Sequence, residues 1–393
     1  MIVFRVDANE KIATGHLMRC LAIAEECRKQ GEICQFLLAE NKETDRIAER
    51  GFSYHVLNSV WDQLDAEVVL LQQYLENNPC DWLVVDSYQA TSKYLRRLNE
   101  LCPILYLDDF GEEEYAVTAV LHYGVMQNPE EYARDYSRRG VRALVGSEYI
   151  PLREEFQPDH LAELQKKQWD RQFAQRQGER LESDRFNQEQ DERSDPDSMA
   201  GQPGILITTG GTDPYHVTEK VLEYCLADRT FFGYRYHVVV GSMNDHVQEL
   251  RQMAEQYAVD GISPISLHFG VKHMSDLMCQ CDYAVSAGGT TLYELCACGV
   301  PTVCFSFADN QLTGVRLLAE QQIMYYAGDA REGDVSAEIG RYLSEYIRHP
   351  EDTIQYQNRM RELVDGRGVC RIAAFLCQKH GDKNTKFFQI DAK

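Results

Sequence analysis

Residues 1–20 read MIVFRVDANEKIATGHLMRC: an apolar run ends at Asp7, a short polar passage follows, and an amphipathic segment begins at Gly15. The apolar run over 2–6 predicts a strand. In the amphipathic segment, apolar residues recur with the i, i+3, i+4, i+7 spacing of a buried helix face. These residues are Leu17, Cys20, Leu21 and Ala24. The stretch therefore predicts one strand-to-helix unit of an α/β fold, with His16 at the junction.

The same alternation of apolar runs and amphipathic segments continues to about residue 150 and restarts after Gly204. It predicts parallel sheets with helices on both faces. The strand candidates are 2–6, 33–38, 82–86, 104–108, 118–122, 205–209, 236–240, 266–269, 283–286 and 302–305. Because 393 residues exceed one ordinary core, we predict two doubly wound, Rossmann-like parallel-sheet domains.

Between the two halves, residues 157–203 are rich in Gln, Arg, Glu and Asp and poor in aliphatic side chains. Such a composition cannot bury much surface, so it predicts a solvated insertion or linker. A partner-binding segment is the alternative. The predicted domains are therefore 1–156, which carries the His16 loop, and 204–368. The C-terminal segment 369–393 is predicted to contain a last helix, which is free to cross back to the first domain.

Composition and charge exclude several classes of protein. The formal net charge is −22 and no clustered basic surface is found, so nucleic acid is not an expected partner. No run of about 18 apolar residues occurs and the first residues lack the pattern of a secretory signal, so we expect no membrane insertion and a cytoplasmic location. The 13 cysteines lack the spacing of zinc sites, which predicts reduced structural thiols with no metal site and no cofactor.

In a doubly wound sheet, ligands bind beyond the carboxyl ends of the strands. Three segments at such positions carry residues that are unusual for a plain loop. They are RVDANEKIATGHLMR (5–19), TTGGTDP (208–214) and SAGGTTLYELCACGVP (286–301), the last followed by FSFADNQ (305–311). The two Gly-Gly turns, each after an apolar strand of the same half, together favour a binding site over a tight turn alone.

In the 286–301 segment, Gly288 and Gly289 let the backbone approach a ligand, and Thr290 or Thr291 is predicted to cap the following helix. The N-terminus of that helix would be a seat for an anion. Glu294, about one turn later, can accept two hydroxyl hydrogen bonds of the kind that a ribose offers. The alternative is a glutamate that interacts with the helix dipole, beside a Gly-Gly pair that serves a tight turn.

Taken together, the motifs resemble a known family. SAGGTTLYEL, CGVP and ADNQ resemble the nucleotide-binding half of GT-B glycosyltransferases, such as the N-acetylglucosaminyltransferase that makes lipid II. The whole set also contains FRVDAN, IATGHLMRC, VVDSY (84–88), LDD (107–109), GSEYIPLREEF (146–156) and TTGGTDP. As a set it is similar to the UDP-sugar hydrolases of the pseudaminic acid pathway and their spore-coat polysaccharide relatives. The resemblance spans roughly 1–156 and 204–315 and implies a GT-B-like fold whose two domains face a cleft.

The resemblance implies a metal-independent hydrolase of UDP-2,4-diacetamido-2,4,6-trideoxy-β-L-altropyranose, in the biosynthesis of pseudaminic acid or a related surface or spore-coat polysaccharide. His16 matches the family's proposed base, which activates water to attack the anomeric carbon and release UDP. The alternative for His16 is a polar residue that caps a helix. The remaining substrate-binding candidates are Arg5, Asp7, Gly15, Tyr88, Arg153, Gly210, Gly211, Asn310 and Gln311. Asp7 could instead cap a loop, and Arg153 could pair with Glu154 or Glu155.

Two other functions stay open. A GT-B glycosyltransferase would pass the sugar from a UDP-sugar to an acceptor, and a non-catalytic nucleotide-sugar binder would scaffold polysaccharide assembly. The acidic charge argues mildly against a membrane-linked acceptor. The intact Gly15–His16 pair argues against a scaffold. The stereochemistry of the sugar and the oligomeric state are left open.

Overall fold

The computed structural model describes residues 1–9, 11–12, 14–111, 114–164, 166 and 202–378. These residues form two compact units, each built on one sheet. Unit 1 contains Met1–Tyr123, Glu130–Val145 and the described residues from Arg367 onward, and unit 2 contains Gly124–Pro129 and Gly146–Gly366.

Unit 1 holds a seven-stranded parallel sheet in the order β3-β2-β1-β4-β5-β6-β7. Its strands are β1 (Ile2–Val6), β2 (Cys34–Leu38), β3 (Ser53–Val56), β4 (Trp82–Asp86), β5 (Ile104–Leu107), β6 (Ala119–His122) and β7 (Arg142–Val145). The helices of its first 145 residues are α1 (Gly15–Lys29), α2 (Thr44–Glu49), α3 (Leu64–Asn77), α4 (Ser92–Asn99) and α5 (Pro129–Arg138).

Unit 2 holds a six-stranded parallel sheet in the order β10-β9-β8-β11-β12-β13. Its strands are β8 (Gly204–Thr208), β9 (Arg235–Val240), β10 (Ile265–Phe269), β11 (Tyr283–Ala287), β12 (Thr302–Ser306) and β13 (Tyr325–Asp329). Its helices are α6 (Val217–Ala227), α7 (Val247–Gln256), α8 (Met274–Met278), α9 (Thr290–Cys298), α10 (Asp309–Glu320), α11 (Ser336–Arg348) and α12 (Pro350–Leu363).

Helices cover both faces of each sheet, so the central strands are buried along their whole length. All five residues of β1, β4, β8 and β12 are buried, as expected for parallel strands with continuous apolar runs. None of the helices that the structure describes is long and apolar enough to cross a lipid bilayer.

The order of strands reverses once in each sheet, and this reversal creates a crevice. In unit 1 the chain builds outward from β1 to β3 and then returns to start β4 on the other side of β1. In unit 2 the same reversal occurs between β8 and β11, which are neighbours in the sheet. The loops that leave the two central strands diverge to opposite faces, so ligands bind between them in folds of this kind.

The predicted fold class, an α/β protein with two doubly wound parallel-sheet domains, is confirmed. Every predicted strand is present, and no strand end differs from the prediction by more than one residue. Three further strands, the edge strands β3, β7 and β13, were not predicted. Most residues of these three strands are at least partly exposed. An edge strand does not need a continuous apolar run, so it lacks the signal that identified the others.

The domain limits differ from those expected. Residues 146–156 belong to unit 2, because Arg153 and Glu155 pair with unit 2 residues Glu294 and Ser275. The last described helix, α13 (Gly368–Leu376), belongs to unit 1, where it packs against α1. Within the predicted insertion, residues 158–164 are helical, and residues 165 and 167–201 lie outside the described part of the chain.

Candidate active site

His16 lies at the strand reversal of unit 1. It is the second residue of α1, which begins at Gly15 with Thr14 as the N-cap residue and no side-chain capping bond. The His16 side chain is buried, and its Nδ1 forms a hydrogen bond with Oδ1 of Asp86, the last residue of β4. His16 is therefore not a helix cap, since its ring reaches from the end of β1 to the end of the neighbouring strand.

Arg19, one helical turn after His16, contacts the same carboxylate. Its Nε donates to Oδ2 of Asp86 over 2.6 Å, its two terminal nitrogens each donate to Asp109 over 2.8 Å, and it also contacts the hydroxyl of Tyr123. Burial alone would raise the pKa of Asp86, but the charges of Arg19 and His16 outweigh burial and hold that pKa below its usual value. Asp86 is therefore ionised at neutral pH and acts as a hydrogen-bond acceptor.

An ionised Asp86 orients the imidazole of His16. Nη2 of Arg19 also lies 3.0 Å from Nδ1, but its two N–H groups donate to Asp86 and Asp109. Because the carboxylate can only accept, we assign the proton on Nδ1 to the contact with Asp86, which leaves Nε2 as an acceptor. The ring of Tyr88 packs edge-on against His16, with 4.3 Å between the ring centroids. His16 is thus held in one orientation with one nitrogen available to take a proton.

A small pocket with a cavity volume of about 10 Å³, room for roughly one water molecule, lies at this position and is partly open to solvent. Tyr88, at its margin, is 38% exposed. The residues that line the pocket are Asp7, Ile12, His16, Trp61, Asp86, Ser87, Tyr88 and Gln89. Among the sequence candidates, the structure therefore brings Asp7, His16 and Tyr88 together, with Gly15 next to His16 in the chain.

Arg5 is fully buried and does not reach the pocket surface. Its Nε and Nη2 donate to the two oxygens of Glu67 over 2.7 and 2.9 Å, and its Nη1 donates to Asp7 over 2.6 Å. Arg5 is therefore not placed to contact a substrate in this pocket, although that contact was predicted, and instead holds Asp7 in position. The other Asp7 oxygen accepts the backbone N–H of Ala39 over 2.8 Å, so Asp7 both ties the loops together and lines the pocket.

His16, Asp86 and Asp109 place one ligand atom each within 4.8 Å of the others, a spacing that a metal ion could use. Arg19 already donates to both carboxylates. Its guanidinium supplies the positive charge that a cation would bring. We therefore assign this cluster to ion pairing and not to metal binding.

In unit 2, the turn after β11 lies at the strand reversal, as the His16 loop does in unit 1. Gly289, with φ of +148°, is the N-cap residue of α9, and no side chain caps this helix. The predicted cap by Thr290 or Thr291 is therefore wrong, because the helix begins at Thr290 itself. A Cβ at Gly288 would lie 2.8 Å from the Cβ of Gln311, so glycine at 288 is needed for the close approach of α10. Asn310 lies beside Gln311 on the exposed first turn of α10.

A third glycine, Gly241, packs against the turn after β8 and was not predicted. Gly210 has φ of +83°, and the carbonyl of Gly211 accepts the N–H of Met243 over 3.0 Å. A Cβ at Gly241 would lie 2.2 Å from the carbonyl oxygen of Gly210. Gly241 follows the apolar strand β9 directly, and this position after a strand was the signal that could have identified it.

Glu294 lies in the second turn of α9, 9% exposed, where it pairs with Arg153. Its Oε1 accepts from Nε and Nη2 of Arg153 over 3.3 and 2.8 Å, and Nη1 of Arg153 lies 2.6 Å from Glu155. The alternative pairing of Arg153 with Glu155 is therefore present together with a contact that was not predicted. Burial raises the pKa of Glu294, and Arg153 offsets this only in part. Oε2 of Glu294 accepts no hydrogen bond from the residues that the structure describes.

The sequence matches no family model. It is 24% identical over 307 residues to an uncharacterised protein of Methanocaldococcus jannaschii, covering 77% of this chain and 54% of that protein. This chain therefore spans about half the length of that relative. It is also 22% identical over 378 residues to the spore coat polysaccharide biosynthesis protein SpsG of Bacillus subtilis, covering 94% of this chain and 96% of SpsG.

Among solved structures, the chain is similar to MurG of Acinetobacter baumannii, with a TM-score of 0.58, 11% identity and coverage of 95% and 98% of the two chains. It is also similar to the UDP-GlcNAc 2-epimerase of Neisseria meningitidis bound to UDP-GlcNAc, with a TM-score of 0.58, 13% identity and coverage of 96% and 99%. At these identities the likeness establishes the fold alone.

Proposed function

We propose that the protein is a hydrolase of UDP-2,4-diacetamido-2,4,6-trideoxy-β-L-altropyranose that acts in the biosynthesis of pseudaminic acid or a related surface polysaccharide. The observation that carries the proposal is the oriented pair of His16 and Asp86 at the strand reversal of unit 1. The likeness to a spore coat polysaccharide biosynthesis protein over nearly the whole chain supports the polysaccharide context. The shared fold with an epimerase solved in complex with UDP-GlcNAc supports a UDP-sugar as substrate.

The chemical step requires one base. Nδ1 of His16 donates to the carboxylate of Asp86, and Nε2 takes a proton from a water molecule as its oxygen attacks the anomeric carbon. The bond between that carbon and the phosphate oxygen breaks, and its electron pair leaves with UDP. Arg19 keeps Asp86 ionised, so the negative charge beside the imidazole stabilises the imidazolium that forms.

In this proposal, unit 2 binds the nucleotide. The first N–H groups of α9 receive no side-chain cap, so they can donate to the diphosphate and stabilise the leaving group. Arg153 holds Oε1 of Glu294, which leaves Oε2 to accept the ribose hydroxyls. Gly210, Gly211 and the first turn of α10 complete the site. No metal ion takes part in the step.

A glycosyltransferase is the second candidate, because WaaG, a solved structure of similar fold with a TM-score of 0.54, is described as a glycosyltransferase. In that reaction His16 would take the proton of an acceptor hydroxyl instead of water. The charged pair in unit 1 and the glycine turns in unit 2 would keep the same roles. The two reactions differ in the group that attacks the sugar, so an assay without acceptor separates them.

To test the proposal, we would incubate the purified protein with candidate UDP-sugars in ¹⁸O-labelled water and no acceptor. The hydrolase should release UDP and place the label on the anomeric hydroxyl of the free sugar. Label in the phosphate would instead show attack at phosphorus. UDP release only after an acceptor is added would identify a transferase, and binding without turnover of any candidate would identify a scaffold.

A further inference from the structure

His216, Glu219 and His246 form a second cluster of titratable side chains, separate from the residues used above. His216 ends the loop after β8, Glu219 lies one turn later on α6, and His246 directly precedes α7. One ligand atom of each lies within 4.8 Å of the others. We propose that these three side chains bind a divalent transition-metal ion, for which Zn²⁺ is the best match by donor type.

The distances suit such an ion. Nδ1 of His216 lies 3.6 Å from Oε1 of Glu219. Two ligand atoms that each lie about 2.1 Å from a tetrahedral zinc ion are separated by about 3.4 Å. The rings of His216 and His246 are adjacent, with 3.5 Å between their centroids. Two imidazoles and one carboxylate are the ligand set of zinc sites that keep a fourth position open.

Glu219 gives independent support for a cation. The residue is only 8% exposed, and neither carboxylate oxygen accepts a hydrogen bond from a residue that the structure describes. Lys220, its neighbour on α6, donates to the carbonyl of Tyr215 over 2.9 Å instead. A buried carboxylate without a donor is strongly unfavourable, and a metal ion between the three side chains would remove that cost. This is the reverse of the Asp86 cluster, where an arginine already provides the compensating charge.

The surrounding contacts orient the histidines. His216 has φ of +53°, a left-handed conformation that is uncommon for a residue with a side chain. Asp213 accepts the N–H groups of Val217 and Thr218 over 2.9 Å each, so it caps α6 and does not compete as a ligand. Asp245 lies 3.0 Å from Nε2 of His246, and carboxylates commonly hold the ring of a metal-binding histidine in this way.

The site departs from the expectation of no metal, which rested on the spacing of cysteines. His216 and His246 are far apart in the chain and come together because β8 and β9 are neighbours in the sheet. The ion would tie the loop after β8 to the loop after β9. It takes no part in the proposed hydrolysis.

The direct test is a titration of chelator-treated protein with Zn²⁺ by calorimetry, and with Co²⁺ by visible absorption. We expect one ion per chain, and a ligand-field spectrum for Co²⁺ that reports nitrogen and oxygen ligands. His216→Ala and His246→Ala should each weaken Zn²⁺ binding by at least about 10-fold, which is the lower end of the loss seen even for outer-shell partners. His349→Ala, which removes an exposed histidine of unit 2 outside the cluster, should leave binding unchanged.

Glu219→Gln provides a second readout that does not depend on affinity. Without metal, this variant should have a higher Tm than the wild type, because it removes a buried charge that has no donor. Added Zn²⁺ should raise the Tm of the wild type and not that of the variant. Equal Zn²⁺ affinity in the wild type and the His216→Ala/His246→Ala double variant would overturn the proposal, as would a metal-free Glu219→Gln protein that is less stable than the wild type.

Discussion

At the strand reversal of unit 1, Arg19 contacts His16, Asp86 and Asp109, and His16 also contacts Asp86. At the same topological position in unit 2, glycine turns lead into an uncapped helix N-terminus. One sheet architecture therefore supports two kinds of chemistry. Oriented side chains suit proton transfer, whereas free backbone N–H groups suit the binding of an anion.

The two regions also differ in how they are stabilised. In unit 1 each buried charge depends on a partner, as with Arg5 between Glu67 and Asp7, so the loss of one member leaves the others unpaired. In unit 2 the groups proposed to bind the diphosphate belong to the backbone, and their positions depend on close contacts such as that between Gly241 and Gly210. Substitutions in unit 1 should therefore destabilise the protein by leaving buried charges unpaired. Substitutions in unit 2 should destabilise it by steric collision with the backbone.

The largest effect is expected for His16→Asn. Turnover should fall by about 10²–10⁴-fold, the usual contribution of a general base. UDP affinity measured by calorimetry should be unchanged, because the proposal places the nucleotide on unit 2. His55→Asn replaces an exposed histidine on β3 and serves as the control. If this variant hydrolyses the UDP-sugar at nearly the wild-type rate, His16 has only a structural role. Unit 1 would then not supply the proton transfer that distinguishes it from unit 2.

Arg5→Met should be the most destabilising change. It leaves Glu67 and part of Asp7 buried without their partner, so the free energy of unfolding in urea should fall by about 3–5 kcal/mol. Arg96→Met, at an exposed position of α4, should change it by less than about 0.5 kcal/mol. Replacing Glu67 by Leu in the Arg5→Met protein should recover part of the loss. No recovery would mean that packing, and not the unpaired charge, explains the effect.

Gly241→Ala tests whether unit 2 depends on shape. The new methyl group would collide with the backbone of Gly210 and Gly211, which should lower the free energy of unfolding by about 1–3 kcal/mol. UDP binding should weaken in parallel because the turn is displaced. Gly314→Ala is the matched control, since a Cβ there meets no atom within 4 Å in α10. It should raise stability by about 0.4–1 kcal/mol. Wild-type UDP affinity in Gly241→Ala would remove this turn from the proposed site.

Glu294→Ala tests how much a side chain contributes to UDP binding in unit 2, where the proposed diphosphate contacts come from the backbone. UDP binding should weaken by about 1–3 kcal/mol, the usual value for hydrogen bonds to a charged group. Arg153 keeps its contact with Glu155, so the fold should persist. Arg153→Met should also weaken UDP binding, but by less, since it removes a contact that orients Glu294 and leaves the Glu294 carboxylate in place. Unchanged UDP affinity by calorimetry would refute the assignment of Glu294 to the ribose.

Much of the fold could be predicted from the sequence. Central parallel strands are buried on both faces, so segments such as 82–86 and 205–209 are continuous apolar runs that are visible without a structure. The edge strand Ser53–Val56 is mostly exposed and carries no such signal. The limits of the units were less predictable, because residues 146–156 join unit 2 through side-chain contacts made far along the chain.

The candidate site could be predicted in part. Gly15 and His16 begin the helix after the first strand, and the Gly-Gly turns follow apolar strands within two residues. Local sequence is enough to place such residues at the carboxyl edge of a sheet. The pairing of these residues carries no comparable signal, although Asp86 itself lies in the motif VVDSY. Asp86 is 70 residues from His16, and Arg153 is 141 residues from Glu294. Which carboxylate meets which cation depends on the order of the strands, so only the folded chain defines it.

Local residue patterns were therefore sufficient for the α/β class, the strand-to-helix junction at His16 and the glycine turns, because backbone geometry and hydrophobic periodicity act over a few residues. The buried ion pairs of Arg5 and Arg19, the pairing of Arg153 with Glu294 and the His216–Glu219–His246 cluster came from the tertiary structure alone. Electrostatic interactions depend on the distance between charges and on their burial, and neither can be read from the amino-acid sequence alone.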